Sequence, residues 1–132
     1  MRIKRPDNKN ALSLIESAKK DMVYTLSLEI NEQSASTIVR NIYESFRKLG
    51  DALLISKGME SQDHVAPIKE LMTIKVNTTR PLNLLDNMRR LRHNVNYYGY
   101  NPKIVEVVNA VSLAKDLFEP LTKEIEKKIN NK

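Results

Sequence analysis

The fold of this chain is decided by residues 35–56, which read ASTIVRNIYESFRKLGDALLIS. Apolar residues recur throughout this stretch at steps of three and four, the period of an amphipathic helix. Gly50 lies inside the pattern at a cost of about 1 kcal/mol relative to alanine, which indicates that a neighbouring helix approaches its backbone closely. Lys57 and Gly58 follow as a helix stop. One long helix is therefore predicted over residues 35–56.

Amphipathic patterns on both sides of this stretch predict further helices. The first runs from about residue 8 to residue 31. The third covers residues 64–76 and has Pro67 in its first turn, where a missing N–H is tolerated. The fourth follows the turn sequence of residues 77–81 and ends at Gly99.

The fifth predicted helix is opened by Asn101 and Pro102 and carries an apolar stripe from Ile104 to Ile125. Pro120 lies inside this stripe and is expected to bend the helix. No strand pattern competes with these five helices. The sequence therefore predicts an all-α fold, an up-and-down helical bundle of about five helices.

A single domain is predicted for residues 1–132, because no Gly/Ser linker, repeat or low-complexity block divides the chain. At this length a bundle can bury a core without disulfides or metals. We expect residues 1–7 and 126–132 to be loosely ordered, the first as a free terminus and the second because of their high charge.

Several classes of protein are disfavoured by composition. The chain has no cysteine, which excludes disulfides and thiolate metal sites. It also lacks a Gly-rich phosphate loop and helical His-x-x-x-His or Glu-x-x-His metal patterns, so we expect no metal and no cofactor. No apolar run approaches the roughly 20 residues of a membrane span and no signal peptide is recognisable, which predicts a cytoplasmic protein without a membrane partner.

The net charge of +6 favours an acidic partner, with RNA as the first candidate. Arginines are concentrated in the segment MRRLRHNVNYYGY, residues 88–100, together with one of the two histidines and three of the five tyrosines. On a helix, one apolar stripe of this region comprises Leu84, Met88, Leu91, Val95 and Tyr98. The polar flank beside it comprises Arg89, His93, Asn96 and Tyr100.

Arg92 lies on the border between the stripe and the flank. A border arginine can bury its stem and direct its guanidinium into a groove, where a phosphate is the most suitable anion. An ordinary solvated helix face is the alternative interpretation. The candidate residues for binding nucleic acid or a nucleotide are Arg89, Arg92, His93, Asn96, Tyr97 and Tyr100.

Arg92 and His93 are also the candidate catalytic pair. RNA cleavage through the ribose 2′-OH needs a base and a cation that supports the charge on phosphorus, and histidine with arginine can supply both without a metal. His93 can equally be a residue of the helix surface. The other histidine, His64, lies beside Asp63 in a polar connection and is interpreted as a solvated loop residue.

The sequence resembles the HEPN domain family (higher eukaryotes and prokaryotes nucleotide-binding). Residues 10–21 are similar to a HEPN first helix, residues 39–52 are similar to the second, and residues 88–99 correspond to the functional helix. The resemblance covers about residues 8–125, with the last segment as its specific part. It implies an all-α bundle, commonly a homodimer in which the functional helices face each other across a cleft.

Many HEPN proteins are metal-independent endoribonucleases, often toxins paired with a nucleotidyltransferase antitoxin. The family motif is an arginine, usually a polar residue, and then a histidine after four to six intervening positions. Arg92 and His93 match the beginning of this motif, but Tyr97, Tyr98 and Gly99 fill the positions where the histidine belongs. The resemblance therefore implies an inactive or reassigned member of the family.

Three functions are compatible with these sequence features. The first is a HEPN-like dimer that binds RNA or a nucleotide through an arginine-lined cleft, with weak or no nuclease activity. The second is a metal-independent endoribonuclease of toxin type that uses Arg89, Arg92 and His93 in a shifted geometry. The third is a non-catalytic interaction partner of a nucleotidyltransferase. A homodimer is also expected from the wide apolar arcs of the second and fifth helices.

Overall fold

A computed structural model of the chain describes residues 2–60, 63, 65–78 and 80–131, with the Arg2 side chain left out. Within these residues the predicted all-α bundle of five helices is confirmed. The helices are α1 (Asn8–Leu26), α2 (Ala35–Ser56), α3 (Val65–Leu71), α4 (Leu84–Tyr98) and α5 (Ile104–Asn130). Two strands of two residues each, β1 (Arg2–Ile3) and β2 (Met59–Glu60), form one antiparallel pair.

The central element is α2, which contacts each of the other four helices. It is buried on several sides because its apolar arc is wide, with Ile38, Val39, Ile42 and Leu53 among its fully buried residues. Gly50 is the place where α3 comes closest. A Cβ atom at this position would overlap the backbone of Pro67, so the predicted close approach of a neighbouring helix is confirmed.

The first helix ends five residues earlier than expected, at Leu26 rather than at residue 31. The N–H groups of Ser27 and Leu28 bond back to the carbonyls of Tyr24 and Thr25, which closes the helix with a tight turn. The Asn31 side chain then accepts from two backbone N–H groups ahead of α2. These local polar bonds outweigh the apolar pattern that continues past the turn.

The third and fifth helices also differ from their predicted bounds. α3 covers Val65–Leu71 rather than residues 64–76, and the chain then turns so that Ile74 reaches the core from outside a helix. α5 begins at Ile104, because the Glu106 carboxylate accepts from the Lys103 N–H and caps the helix there. The helix continues through Pro120. His64 and Thr79 lie outside the described residues.

Described residues near both termini contact distant parts of the fold. β1 pairs with β2, and Asp7 caps α1 by accepting from the Asn10 N–H at 3.0 Å. At the other end, α5 continues to Asn130 with Ile129 buried. The Asn8 amide donates to the Ile129 carbonyl at 3.3 Å. These contacts with distant segments do not register in local composition, and the loose order expected for residues 1–7 and 126–132 stays a prediction.

The site is positioned by α4, which lies antiparallel on α2. Arg92 faces Glu44, while Asn101 beyond the end of α4 lies near Ser36 at the start of α2, with 3.5 Å between Oδ1 and Oγ. On another side of α2, Phe46 meets Phe118 of α5 edge-to-face at 5.4 Å between ring centroids. Among the described helices, none has the length and apolar character needed to cross a bilayer.

Candidate functional site

Arg92 is held between α4 and α2. Its side chain is only 15% exposed, and its Nη2 lies 3.2 Å from Oε1 of Glu44. The guanidinium also lies 5.4 Å from the centre of the Tyr43 ring, within cation–π range. With the Asn96 amide oriented oxygen-inward, that oxygen accepts from Nε and Nη2 of Arg92 at 3.1 and 3.2 Å. The arginine predicted to bind phosphate therefore already has protein partners.

Glu44 extends this contact into a charged chain along α2. Its Oε2 accepts from Nη1 of Arg47 at 3.1 Å, and Nε of Arg47 lies 3.8 Å from Oδ2 of Asp51. Glu44 Oε1 and Arg47 Nε are buried and meet their partners as ion pairs without a hydrogen bond. Burial raises the pKa of Asp51, against the opposing effect of the Arg47 charge.

Tyr43 forms the apolar floor below Arg92. The residue is almost fully buried, and burial raises its pKa to about 12, while the nearby Arg92 charge acts in the opposite direction. The phenol therefore remains neutral at physiological pH and offers the arginine a ring face rather than a negative charge.

Two arginines at the start of the segment 88–100, Arg89 and Arg90, pair with Asp86 in the first turn of α4. Arg89 Nε donates to Oδ1 of Asp86 at 2.9 Å, and Arg90 Nη2 lies 3.3 Å from Oδ2. The hydrogen bond from Arg89 lowers the pKa of Asp86. Arg89 is half-buried, whereas Arg90 remains largely exposed. Arg90 therefore offers the more accessible positive charge.

The exposed end of α4 carries three rings. Those of His93 and Tyr97 lie 4.6 Å apart at a tilt of 37°, and the Tyr98 ring meets His93 edge-on at 5.7 Å. Tyr97 is 65% exposed and Tyr98 is 75% exposed. Tyr98 was predicted to belong to the apolar stripe, but it lies in the last turn of α4, beyond the last buried residue at Val95. We call Arg90, His93, Tyr97 and Tyr98 the outer α4 surface.

Tyr100 is separated from this surface. Gly99 ends α4 in the left-handed conformation, with φ of 62°, and turns the chain toward α5. The Tyr100 hydroxyl then donates to Oε1 of Glu106 at 2.5 Å, and this bond raises the pKa of Tyr100. Tyr100 thus stabilises the connection between α4 and α5.

Apart from Tyr100, the predicted site residues consequently fall into two groups. Arg89, Arg92 and Asn96 have partners within α4 or on α2, while His93 and Tyr97 are on the outer α4 surface. Arg92 contacts α2 and His93 contacts exposed rings, so one chain does not bring this catalytic pair to a common partner.

Sequence reasoning missed the α2 side of the site. Tyr43, Arg47 and Asp51 follow one another at steps of four, and Glu44 lies beside them. Charged residues at helical spacing inside a strongly apolar helix could have indicated this side of the site, because burial of such groups needs partners of opposite charge. Among the described residues, no group of three or more His, Asp or Glu could hold a metal ion.

The chain matches no protein-family model, no curated protein and no solved structure. Membership of the HEPN family stays a prediction.

Proposed function

We propose that this protein binds single-stranded RNA through the outer α4 surface. The observation that carries the proposal is the pair of exposed tyrosines, Tyr97 and Tyr98, arranged around His93. Exposed rings on a rigid helix offer platforms on which unpaired bases stack, with about 1–3 kcal/mol per base. Stacking is available in single-stranded RNA, whose bases are not held in a duplex.

The charge of the surface fits the same ligand. Arg90 is largely exposed beside the rings, and Arg40 is exposed on α2 one turn before Glu44. Because α4 runs antiparallel to α2, Arg40 lies toward the ring-bearing end of α4. The chain as a whole carries a net charge of +6, which attracts a polyanion over a distance of about 8–10 Å at moderate salt.

Arg92 acts in this proposal as a positioning residue. Its contacts with Glu44 and Tyr43 fix the angle at which α4 lies on α2, and this angle sets the direction of the exposed rings. A phosphate at Arg92 would compete with the Glu44 carboxylate for the same guanidinium. Arg89 and Asn96 likewise have partners within α4, which are Asp86 and Arg92.

The test is binding of a fluorescently labelled single-stranded RNA, measured by anisotropy at several salt concentrations. Replacing Tyr97 and Tyr98 together by alanine should weaken binding by about fivefold or more for each ring that stacks on a base. Tyr24→Ala is the matched control, because this tyrosine is 62% exposed on α1. Tyr97→Phe keeps a ring and should bind as the unmodified protein does.

Unchanged affinity of the double alanine variant, with normal helical circular dichroism, would refute the proposal. Arg90→Ala should also lower the slope of log affinity against log salt by about one unit if this arginine neutralises one phosphate. An unchanged slope would remove Arg90 from the phosphate contacts.

The other partner hypotheses draw on different features. A homodimer was expected from the apolar arcs of the helices, and a nucleotidyltransferase partner from the HEPN resemblance. Neither of these two partner hypotheses requires the exposed tyrosines. Because the RNA proposal requires no second protein, it is tested by the binding of RNA to the purified protein alone.

A further inference from the structure

Asn94 lies at the centre of the outer α4 surface. It follows Arg90 by four residues and precedes Tyr97 and Tyr98 by three and four, so these positions share one side of the helix. Asn94 is itself exposed. The outer α4 surface therefore surrounds an accessible side-chain amide.

The exposed rings lean toward this position. At about 100° per residue, His93 and Tyr98 are about 140° apart around the helix axis, and Asn94 lies between them. The two ring centroids are nevertheless only 5.7 Å apart. The Tyr98 side chain therefore leans across the sector of the helix that holds Asn94, toward the N-terminus, as helical side chains generally do.

The fold makes no use of the Asn94 amide. The backbone carbonyl of this residue accepts from the N–H groups of Gly99 and Tyr100, and these bonds close the end of α4. Its side-chain amide has no hydrogen-bond partner among the residues that the structure describes, whereas the Asn96 amide contacts Arg92. Asparagine is also among the less favourable residues inside a helix. Neither helix propensity nor a contact within the chain accounts for this amide.

We propose that Asn94 reads the edge of a base stacked on Tyr97 or Tyr98 and gives the protein a preference for adenine in single-stranded RNA. The inference rests on the proposed function, which supplies the stacked base. Residues three and four apart on a helix have Cβ atoms about 5–6 Å apart. The amide is thus near enough to reach the edge of a base that lies on either ring.

The choice of base follows from the chemistry of the amide. A carboxamide presents an N–H donor beside a carbonyl acceptor and forms two parallel hydrogen bonds with an edge that carries an acceptor beside a donor. Adenine has such an edge on both sides of its N6 amino group, with N1 on one side and N7 on the other. Guanine has two acceptors on its Hoogsteen edge, which suit arginine, and the pyrimidines offer a smaller ring for stacking.

The nearby arginine does not favour guanine. Arg90 Nη2 lies 3.3 Å from Oδ2 of Asp86, so part of its guanidinium fork is engaged. A bidentate contact with guanine needs the fork, whereas a contact with phosphate needs only one of its N–H groups. Arg90 therefore acts on the RNA backbone and Asn94 on the base, the usual division between contacts that position and contacts that specify.

The test uses short uridine-based RNAs of equal length in which two adjacent central bases are adenine, guanine or cytosine. Equal length keeps the phosphate contribution constant. Measured by anisotropy, the adenine RNA should bind about fivefold more tightly than the others, the lower end of what a bidentate contact discriminates. Asn94→Ala should remove this preference and leave the affinity for uridine-only RNA little changed. Alanine favours helices, so circular dichroism should be unaltered.

Asn87→Ala is the matched control, because Asn87 is an exposed asparagine on the same side of α4, two turns before the rings. This variant should keep the preference for adenine. Equal affinity for all the RNAs, or a preference that survives in Asn94→Ala, would overturn the inference. The proposed function would still stand in that case if binding depends on Tyr97 and Tyr98. Absence of binding to every RNA would refute the proposed function and this inference with it.

Discussion

Glu44 Oε1 and Arg92 Nη2 lie 3.2 Å apart and join the two helices that carry the candidate site. The contact is largely shielded from solvent on the arginine side and rests on the ring of Tyr43. A guanidinium held in this way is fixed in position and partly neutralised. The arginine that resembles a family's catalytic residue thus joins α4 to α2 in this chain.

The first prediction concerns this ion pair. Arg92→Ala removes the partner of a partly buried carboxylate together with the contacts to Tyr43 and Asn96. We expect a loss of about 2 kcal/mol in the free energy of unfolding, measured by urea denaturation. Arg92→Lys should recover only part of it, because lysine lacks the planar fork.

Arg90→Ala is the matched control on the same helix, since Arg90 is largely exposed. It should change the free energy of unfolding by about 0.5 kcal/mol or less. Equal stability of the Arg92→Ala and Arg90→Ala proteins would contradict the structural role of Arg92.

A second prediction concerns the contact of α2 with α3. In an exposed helix, Gly50→Ala would stabilise by about 1 kcal/mol, but here the added methyl group overlaps the backbone of Pro67. Relief requires α3 to move, so we expect a net destabilisation of about 1–3 kcal/mol in thermal or urea unfolding. Arg40→Ala, at an exposed position of α2, serves as the control. A stabilised Gly50→Ala protein would show that α3 does not lie against this glycine.

The third prediction is a pair of opposite pH dependences. The hydrogen bond from Arg89 lowers the pKa of Asp86, so its stabilising effect is present above the ordinary aspartate pKa of 3.8 and is lost as the pH falls through the lowered value. Asp86→Asn should therefore cost more stability at pH 6 than at pH 3.

Asp51 should behave in the opposite way. Burial raises its pKa, so the ionised group carries an energetic cost that protonation removes as the pH falls through the raised value toward 3.8. Relative to the unmodified protein, Asp51→Asn should be more favourable at pH 6 than at pH 3. Urea midpoints between these pH values test both variants, and slopes of the same sign would contradict the assignment.

The fourth prediction is weak or absent cleavage of single-stranded RNA in the presence of EDTA. Arg92 contacts α2 while His93 contacts the exposed rings, and two tyrosines and a glycine occupy the positions of the family's histidine. A phenol is a poor base at neutral pH. Gel analysis of labelled RNA provides the measurement. Robust metal-independent cleavage that leaves 2′,3′-cyclic phosphate ends and disappears in His93→Ala would instead establish the shifted-site nuclease.

Much of the helical framework was predictable from local sequence. The spacing of apolar residues predicted α2 with its observed bounds, and Gly50 inside that pattern indicated the close approach of another helix. Lys57 and Gly58 ended the helix as expected, and Gly99 ended α4. Such features depend on residues within one or two turns, where backbone hydrogen bonding and side-chain size act directly.

The tertiary structure alone decided what the candidate residues contact. The guanidinium of Arg92 lies against Glu44, and its binding of phosphate stays a prediction. Tyr98 was expected in the apolar stripe and is exposed to solvent. Residues 126–130 also contact a distant segment, through the bond from Asn8 to Ile129. Periodicity shows which side of a helix is polar, but the partner of a charged group depends on the helix that lies opposite. That choice depends on the packing of the whole core.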